Sequence, residues 1–221
     1  MNKLVKLGLA LLIGMSTVFN LNAQDQKDYE QKLETSLAGL QVANSYNDMQ
    51  QHSNSIERIA KMTPNDWLTN YYAAYSLVLS SYKLDKDDID DQLDKAQVYL
   101  DKCLEIDKSI ADVHVLQAWL HSARISVSPM MRGMRYSSKS TTSLEMAEKL
   151  EPNNPRLFYM KGQNLFYRPA MFGGGAEAAM PEYQKAAKLF ESYKKPSSLW
   201  PSWGKNINAV MLKRCKEKMK A

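Results

Sequence analysis

Similar motifs recur along this chain at steps of 44 residues. The stretch IAKMTPND around Pro64 resembles AEKLEPNN around Pro152, with Lys108 of CLEIDKSI midway between them, and one further step reaches Pro196. Small or modest apolar residues follow the same steps: Ala74, Ala118 and Gly162, and Ile59, Cys103 and Ala147. A chain with such a period buries its core by stacking similar units on each other. The spacing therefore predicts one repeat domain over residues 24–221, clearest over 45–196.

Each unit contains two segments in which apolar residues recur at helical spacing. The first helices of the units are predicted over 66–82, 111–126 and 155–167, and the second helices over 90–106, 137–150 and 176–193. Asp66 and the pair Asn154-Pro155 are typical helix-start signals. A weaker amphipathic pair is predicted over 26–41 and 45–62, and a capping helix over 202–218. The predicted fold is therefore all-α, built from antiparallel helix pairs.

The residues between the two helices of each unit read KLDKDDIDD, VSPMMRGMR and RPAMFGGG, and they predict long connections. The glycines Gly173–Gly175 in the third stretch allow two interpretations, a phosphate-binding loop or a joint between helices. A phosphate loop needs a lysine and a hydroxyl residue on a strand-to-helix turn, whereas Ala176 and Glu177 follow here. We therefore predict a joint in which glycine adopts a positive φ, after Pro169 has ended the preceding helix.

The recurring residues resemble the tetratricopeptide repeat family. Its repeat of about 34 residues has a small residue in the first helix, an alanine-like residue late in the second and a proline shortly after. The chain departs from this pattern because each unit is about ten residues longer, Lys108 replaces one proline, and Glu191 stands where a small residue is usual. The long connections also resemble those of the periplasmic T component of TRAP transporters. The resemblance implies a TPR-like superhelix closed by a C-terminal capping helix.

The same resemblance implies a binding surface, because the first helices of the family line the concave side of the stack. The matching positions here include eight candidate site residues: Tyr71, Tyr75, Asp112, Trp119, Arg156, Tyr159, Gln163 and Tyr167. Tyrosine and tryptophan provide large, rigid contact areas with a polar handle. Two functions follow, an adaptor that binds a protein or peptide and a transport accessory that binds a small hydrophobic ligand. The alternative is that these side chains only fill helix interfaces.

The N-terminus predicts export. Lys3 and Lys6 precede an apolar run over residues 7–19, and Ala23 offers a small residue at the expected cleavage position. These features are typical of a signal peptide, here residues 1–23. The apolar run is shorter than the roughly 20 residues that a spanning helix needs, and no later stretch is more apolar. We therefore expect a periplasmic chain with no stable membrane insertion after cleavage.

No motif in the sequence indicates catalysis, a metal or a cofactor. His114 and His121 share a predicted helix face but have no third ligand in the sequence. The acidic stretch Asp85–Asp94 lacks the glycine turn and the final glutamate of an EF-hand loop. No serine lies in a nucleophile elbow. We therefore predict a non-enzymatic protein with no cofactor and no metal.

The charge pattern bears on nucleic-acid binding, and the positions of the cysteines bear on a disulfide. The net charge of +5 is modest, and the one basic cluster, Lys213–Ala221, is typical of a solvated helix end rather than a nucleic-acid site. Cys103 and Cys215 lie in distant units, whereas a disulfide needs α-carbons within about 7 Å. We predict two unpaired, buried thiols and no nucleic-acid partner.

Overall fold

The computed structural model describes residues 23–220, and this part of the chain is all α-helical, as predicted. Its nine α-helices are α1 (Ala23–Val42), α2 (Tyr46–Met62), α3 (Trp67–Ser81), α4 (Lys86–Ile106), α5 (Ala111–Ile125), α6 (Pro129–Leu150), α7 (Pro155–Tyr167), α8 (Ala176–Ser192) and α9 (Lys205–Lys218), with a 3-10 turn at Ala170–Phe172. The predicted signal peptide, apart from Ala23, lies outside the described residues. Among the described helices none combines the length and the apolar character needed to span a bilayer.

Successive helices pack as antiparallel pairs, α3 with α4, α5 with α6 and α7 with α8. The helices α1 and α2 form a preceding pair, and α9 packs against α8 as a cap. Short connections produce this arrangement because the chain must reverse direction within a few residues. The first helices α3, α5 and α7 also contact one another in order along the stack. We call the surface that these three helices form the inner face.

The prediction of a long connection between the two helices of a unit is wrong for two of the three units. Helix α4 begins at Lys86 and α6 begins at Pro129, so most of KLDKDDIDD and VSPMMRGMR is helical. Proline is tolerated at the first helical position because its missing N–H would have no partner there, and Asp87 and Asp88 suit the positive end of α4. The additional residues of the first two units therefore lengthen their second helices. Only RPAMFGGG remains a true connection.

Local sequence signals are confirmed at the helix starts and at the glycines. The side chains of Asp66 and Asn154 each accept a hydrogen bond from the backbone N–H two residues further on, at 2.8 and 2.9 Å. Gly173 and Gly175 have φ angles of 73° and 108°, a region that residues with a β-carbon rarely adopt. The three glycines thus form the joint that leads into α8.

The small residues that recur at the repeat step lie at helix contacts. Ala74, Ala118 and Ala147 are completely buried. Cys103 and Cys215 are also completely buried, and both are free, as predicted. Residues without bulk at these positions let neighbouring helices approach closely.

Gly162 in α7 lies at a close contact between α7 and α8. An added β-carbon would lie 2.6 Å from Cε1 of Tyr183, whose side chain is completely buried. We expect Gly162→Ala to lower the free energy of unfolding by about 1–3 kcal/mol, because overpacking outweighs the better helix propensity of alanine. Urea unfolding followed by circular dichroism measures the change.

Gly133 in α6 is the matched control, because an added β-carbon there would meet no atom within 4 Å. Gly133→Ala is expected to raise the free energy of unfolding by about 0.5–1 kcal/mol through helix propensity alone. A change of the same sign and size in both variants would contradict the packing explanation for Gly162.

Candidate functional site

The inner face is covered by the chain itself. Residues 193–204, between α8 and α9, run across α3, α5 and α7, and we call them the crossing segment. Tyr72 Oη donates a hydrogen bond to the Leu199 carbonyl at 2.7 Å, and Trp203 Nε1 donates to Tyr71 Oη at 2.7 Å. The side chain of Leu199 is buried. The crossing segment thus occupies the surface that the repeat pattern assigns to a partner.

Two tryptophans anchor the crossing segment. Trp200 meets Trp67 edge to face with ring centroids 4.9 Å apart, and Trp203 stacks on Tyr75 at 5.9 Å and lies 5.0 Å from Trp119. Such ring pairs contribute about 0.5–1.5 kcal/mol each beyond area burial. Reasoning from the repeats missed these residues. The available signal was a pair of tryptophans in the proline-containing stretch SSLWPSWG, since tryptophan is highly buried on average.

A buried ion pair lies beneath the crossing segment. Arg156 donates to Asp112 through Nε at 2.6 Å and through Nη2 at 2.9 Å, and both side chains are at most 1% exposed. Trp200 Nε1 also donates to Asp112, at 3.0 Å, and Arg156 donates to the Tyr193 hydroxyl at 2.8 Å. Burial would lower the pKa of Arg156, but the adjacent carboxylate outweighs it and the pKa lies above its ordinary value. The pair therefore ties α5 and α7 to the crossing segment.

The eight residues predicted for the binding surface surround this region but differ in accessibility. Five of them are buried: Tyr71, Tyr75, Asp112, Arg156 and Tyr159. Trp119 and Gln163 are partly exposed, and Tyr167 exposes 64% of its surface. The five buried residues pack in the interior and do not form an open surface. For them the structure agrees with the alternative stated above, that these side chains fill helix interfaces. A partner could reach them only by displacing the crossing segment.

Aromatic side chains cluster around Trp203 of the crossing segment, and we call them the aromatic rim: the exposed Tyr82 and Tyr167, the partly exposed Trp119 and Trp203, and the buried Tyr159. Trp119 Nε1 donates to Tyr82 Oη at 3.0 Å, and the rings of Tyr159 and Trp203 have centroids 6.1 Å apart. Tyr82 exposes 52% of its surface. Its pKa is raised to about 12, mainly by burial of the phenol among surrounding atoms and to a smaller extent by Tyr167, although the hydrogen bond from Trp119 lowers it. The Tyr82 hydroxyl thus lies against Trp119, and part of its ring remains accessible.

Helix α9 places two cations beside the rim. The Arg214 guanidinium lies 5.4 Å from the Phe166 ring centroid, and its Nη1 donates to Tyr167 Oη at 3.3 Å. Lys218 Nζ lies 5.1 Å from the same ring of Phe166. Both side chains are exposed, and neither forms a salt bridge within the described part of the chain. The rim thus combines flat rings with positive charge.

A second, open cleft of about 650 Å³ lies on the opposite side of α5, between α4 and α6. It contains His114 and His121, which share a helix face as predicted. The pKa of His121 is lowered to about 4, first by burial and then by Lys139 and Arg124. The His121 imidazole is therefore neutral at pH 7. The Nε2 atom of His114 already has a hydrogen-bond partner, the Lys108 carbonyl oxygen at 2.9 Å.

Most polar side chains of this cleft bind one another. Gln97 and Gln117 exchange two hydrogen bonds of 2.8 Å. Arg124 pairs with Asp90 and Asp94, which are the acids considered above for calcium. Within residues 23–220 no group of three or more His, Cys, Asp or Glu side chains comes together to hold a metal. Much of the polar lining of the cleft is therefore already paired within the described chain.

The chain matches no known family model, and no curated protein matches it significantly in sequence. Among solved structures, the HusA haemophore from Porphyromonas gingivalis is similar, with a TM-score of 0.77 and 26% sequence identity. The similarity covers 86% of this chain and 94% of the haemophore chain. It supports the helical repeat-like fold over most of the molecule. It does not identify the chain as a tetratricopeptide repeat protein or as a TRAP transporter component.

Proposed function

We propose that this protein is an exported, non-enzymatic carrier that binds a flat aromatic ligand with acidic groups, of the porphyrin class, at the aromatic rim. The observation that carries the proposal is the rim itself, where the exposed Tyr82 lies near the exposed Tyr167. Arg214 donates a hydrogen bond to Tyr167, and Lys218 lies over the neighbouring ring of Phe166. The similarity to a haemophore, by its name a haem carrier, supports this ligand class. Porphyrin here is cargo, and the protein supplies contacts rather than chemistry.

Ring contacts would supply most of the affinity. Tyr82, Trp119 and Trp203 form a continuous series with centroid distances of 6.4 and 5.0 Å. A macrocycle stacked against the exposed parts of this series would remove apolar surface from water, at about 25 cal/mol for each Å² buried. Its flat shape matches the rings, which have few rotamers to restrict on binding.

The cations of α9 would orient the ligand. Porphyrins such as haem carry two propionate carboxylates at one edge of the macrocycle. Arg214 is exposed and presents a planar guanidinium that binds a carboxylate through two parallel hydrogen bonds. Lys218 adds a second positive charge one helical turn further along α9. The propionate edge would therefore point toward α9 and the macrocycle toward Tyr82 and Trp119.

Export is part of the proposal. It rests on the signal-peptide features of residues 1–23. The similarity to a haemophore agrees with a secreted or exported ligand-binding protein. A periplasmic location is the more specific form of this proposal.

Peptide binding on the inner face is a second candidate function. It is favoured by one observation, that this face already holds a peptide segment, whose Leu199 carbonyl accepts a hydrogen bond from Tyr72. A partner segment would use the same contacts after the crossing segment has left. A synthetic peptide of residues 195–204 would then compete with the partner for the inner face.

The test is a titration of the mature chain with haem and with iron-free protoporphyrin, followed by ligand absorbance and by quenching of tryptophan fluorescence. We expect the double variant Tyr82→Ala/Tyr167→Ala to bind about 30-fold more weakly, because two ring contacts amount to about 2 kcal/mol. Similar affinities for both ligands would indicate that stacking rather than iron ligation holds the macrocycle.

The matched control is Tyr136→Ala/His121→Ala, which removes two rings from the cleft between α4 and α6. Its affinity for haem is expected to equal that of the wild type. Loss of binding in the cleft variant, with unchanged binding in the rim variant, would move the site to the cleft and overturn the proposal. Absence of binding by the wild type to either ligand would reject the porphyrin class altogether.

A further inference from the structure

The first turns of α6 carry three exposed methionines, which we call the methionine group: Met130, Met131 and Met134. They expose 96%, 83% and 88% of their surfaces. From the sequence, the stretch SPMMRGMR could be an adaptable apolar contact or could pack against the next repeat. The exposures exclude packing within the described residues. The three thioether sulfurs are therefore available to something outside the chain.

The spacing of the methionine group brings its side chains together on the helix surface. Met134 lies four residues after Met130 and three after Met131, the two spacings at which helical side chains are neighbours. Side chains on a helix lean toward its N-terminus, so Met134 leans back toward the other two. Each methionine side chain also has three rotatable bonds. The three sulfurs can therefore converge on one small ligand without a change in the backbone.

The space beside the methionine group is open. Gly133 stands between Met131 and Met134, and an added β-carbon there would meet no atom within 4 Å. The helix thus offers no side chain at this position that would cover the sulfurs. A small ion can reach them directly from solvent.

The charges at this edge of the stack are of both signs. Arg132 lies within the methionine group in the sequence, but its guanidinium binds Asp90 of α4 at 2.7 Å. This ion pair places the acidic start of α4 beside the start of α6. The edge carries the exposed carboxylates of Asp87 and Asp91 as well as the exposed guanidinium of Arg135. A monovalent cation therefore meets no excess of positive charge here.

We propose that the methionine group is a binding site for a soft monovalent metal ion, Cu(I). Thioether sulfur is a soft, uncharged ligand that selects Cu(I), and Ag(I) is its redox-inert analogue. Zn(II) is instead bound by thiolate, imidazole and carboxylate, and Ca(II) and Mg(II) require oxygen ligands. The three sulfurs hold the ion at the surface of α6, where it can be received and released quickly.

The other soft ligands of the described chain do not compete for this ion. Cys103 and Cys215 are completely buried, so their thiols are shielded from solvent. The histidines, cysteines and carboxylates of residues 23–220 form no group of three. Thioethers are a class of ligand that the prediction of no metal, made from histidines and carboxylates, does not cover.

Titration of the mature chain with silver nitrate in chloride-free buffer tests the proposal. The methyl signals of isotope-labelled methionine are followed by NMR, because a metal ion on the sulfur shifts the adjacent methyl group. We expect the three signals of the methionine group to shift together and to saturate at about one ion per chain. Cu(I), kept reduced with ascorbate, should shift the same three signals, and Zn(II) should shift none of them.

Met130→Leu/Met131→Leu/Met134→Leu keeps the apolar bulk and removes the sulfurs. It should bind Ag(I) at least about ten-fold more weakly, whereas a contact that needs only apolar surface would survive it. The matched control is Met62→Leu, since Met62 ends α2 and is also exposed, at 68%. This variant should bind Ag(I) like the wild type.

The pH dependence separates thioethers from histidines as ligands. Thioethers do not titrate, so the affinity for Ag(I) should be equal at pH 5 and pH 8, whereas a site at histidines would lose the ion as imidazole is protonated. Unchanged binding by the triple variant, loss of binding at pH 5 or no shift of the three methyl signals would each overturn the proposal. The triple variant should retain its haem titration, which separates this proposal from the carrier function.

Discussion

Asp112→Ala is expected to lower the free energy of unfolding by about 3–5 kcal/mol, measured by urea unfolding with circular dichroism. The change leaves the Arg156 guanidinium without its counter-ion, and this charge is buried because the side chain is only 1% exposed. It also removes the acceptor for Trp200 Nε1 in the crossing segment. Removing one partner of a buried ion pair is costly because the remaining charge keeps its desolvation penalty and loses its compensation.

Two further variants separate the buried charge from other effects. Glu191→Ala removes the partner of Lys205 in an ion pair whose side chains are 73% and 54% exposed, and its cost should be about 0–1 kcal/mol. Asp112→Leu/Arg156→Met removes both buried charges and should recover much of the stability lost in Asp112→Ala. If Asp112→Ala proved as mild as Glu191→Ala, the ion pair would not support the crossing segment.

Trp203→Ala is expected to cost about 3 kcal/mol and to release the crossing segment from the inner face. The ring stacks on Tyr75, contacts Trp119 and Tyr159, and donates a hydrogen bond to the completely buried Tyr71 hydroxyl. Its loss leaves a cavity and removes the donor to Tyr71 at the same time. Urea unfolding measures the stability, and the rate of tryptic cleavage after the exposed Lys194 reports the release of the segment.

Trp203→Phe separates the contribution of ring packing from that of the hydrogen bond to Tyr71. Phenylalanine keeps a ring against Tyr75 but lacks the N–H donor, so it should cost about 1–3 kcal/mol, the penalty of an unpaired buried hydroxyl. Phe172→Ala is the control, because Phe172 is an aromatic residue with 63% of its surface exposed, and its effect should lie within about 0.5 kcal/mol. Unchanged tryptic cleavage in Trp203→Ala would show that other contacts hold the crossing segment.

The helices and their starts could be predicted because their signals are local. Asp66 and Asn154 cap helices through hydrogen bonds to residues two positions away, and Gly173 and Gly175 adopt positive φ angles, which the absence of a β-carbon permits. The lengths of α4 and α6 could not be predicted in the same way. Lysine, aspartate and serine are frequent both in loops and on the exposed faces of helices. The stretches KLDKDDIDD and VSPMMRGMR therefore have a loop-like composition and a helical structure.

The candidate site could be predicted only in part. The repeat positions placed Tyr71, Tyr75, Asp112 and Tyr159 on the inner face, and each of them contacts the crossing segment or the residues beneath it. The repeat pattern contains no information about what covers that face. For that reason Trp200 and Trp203 were missed. Tyr167 was predicted and is exposed, whereas the exposed Tyr82 was not predicted.

By itself, the sequence determined the all-helical class, the pairing of helices in equal steps, the capped helix starts and the glycine joint. These features depend on interactions between residues that lie within a few positions of one another or that recur at a regular step. Only the tertiary structure decided which aromatic side chains remain accessible. That outcome depends on single contacts between residues far apart in the chain, such as Trp200 with Asp112, 88 positions apart, and Trp203 with Tyr71, 132 positions apart. No periodic pattern encodes such contacts, because each occurs once and forms only after the helix pairs have stacked.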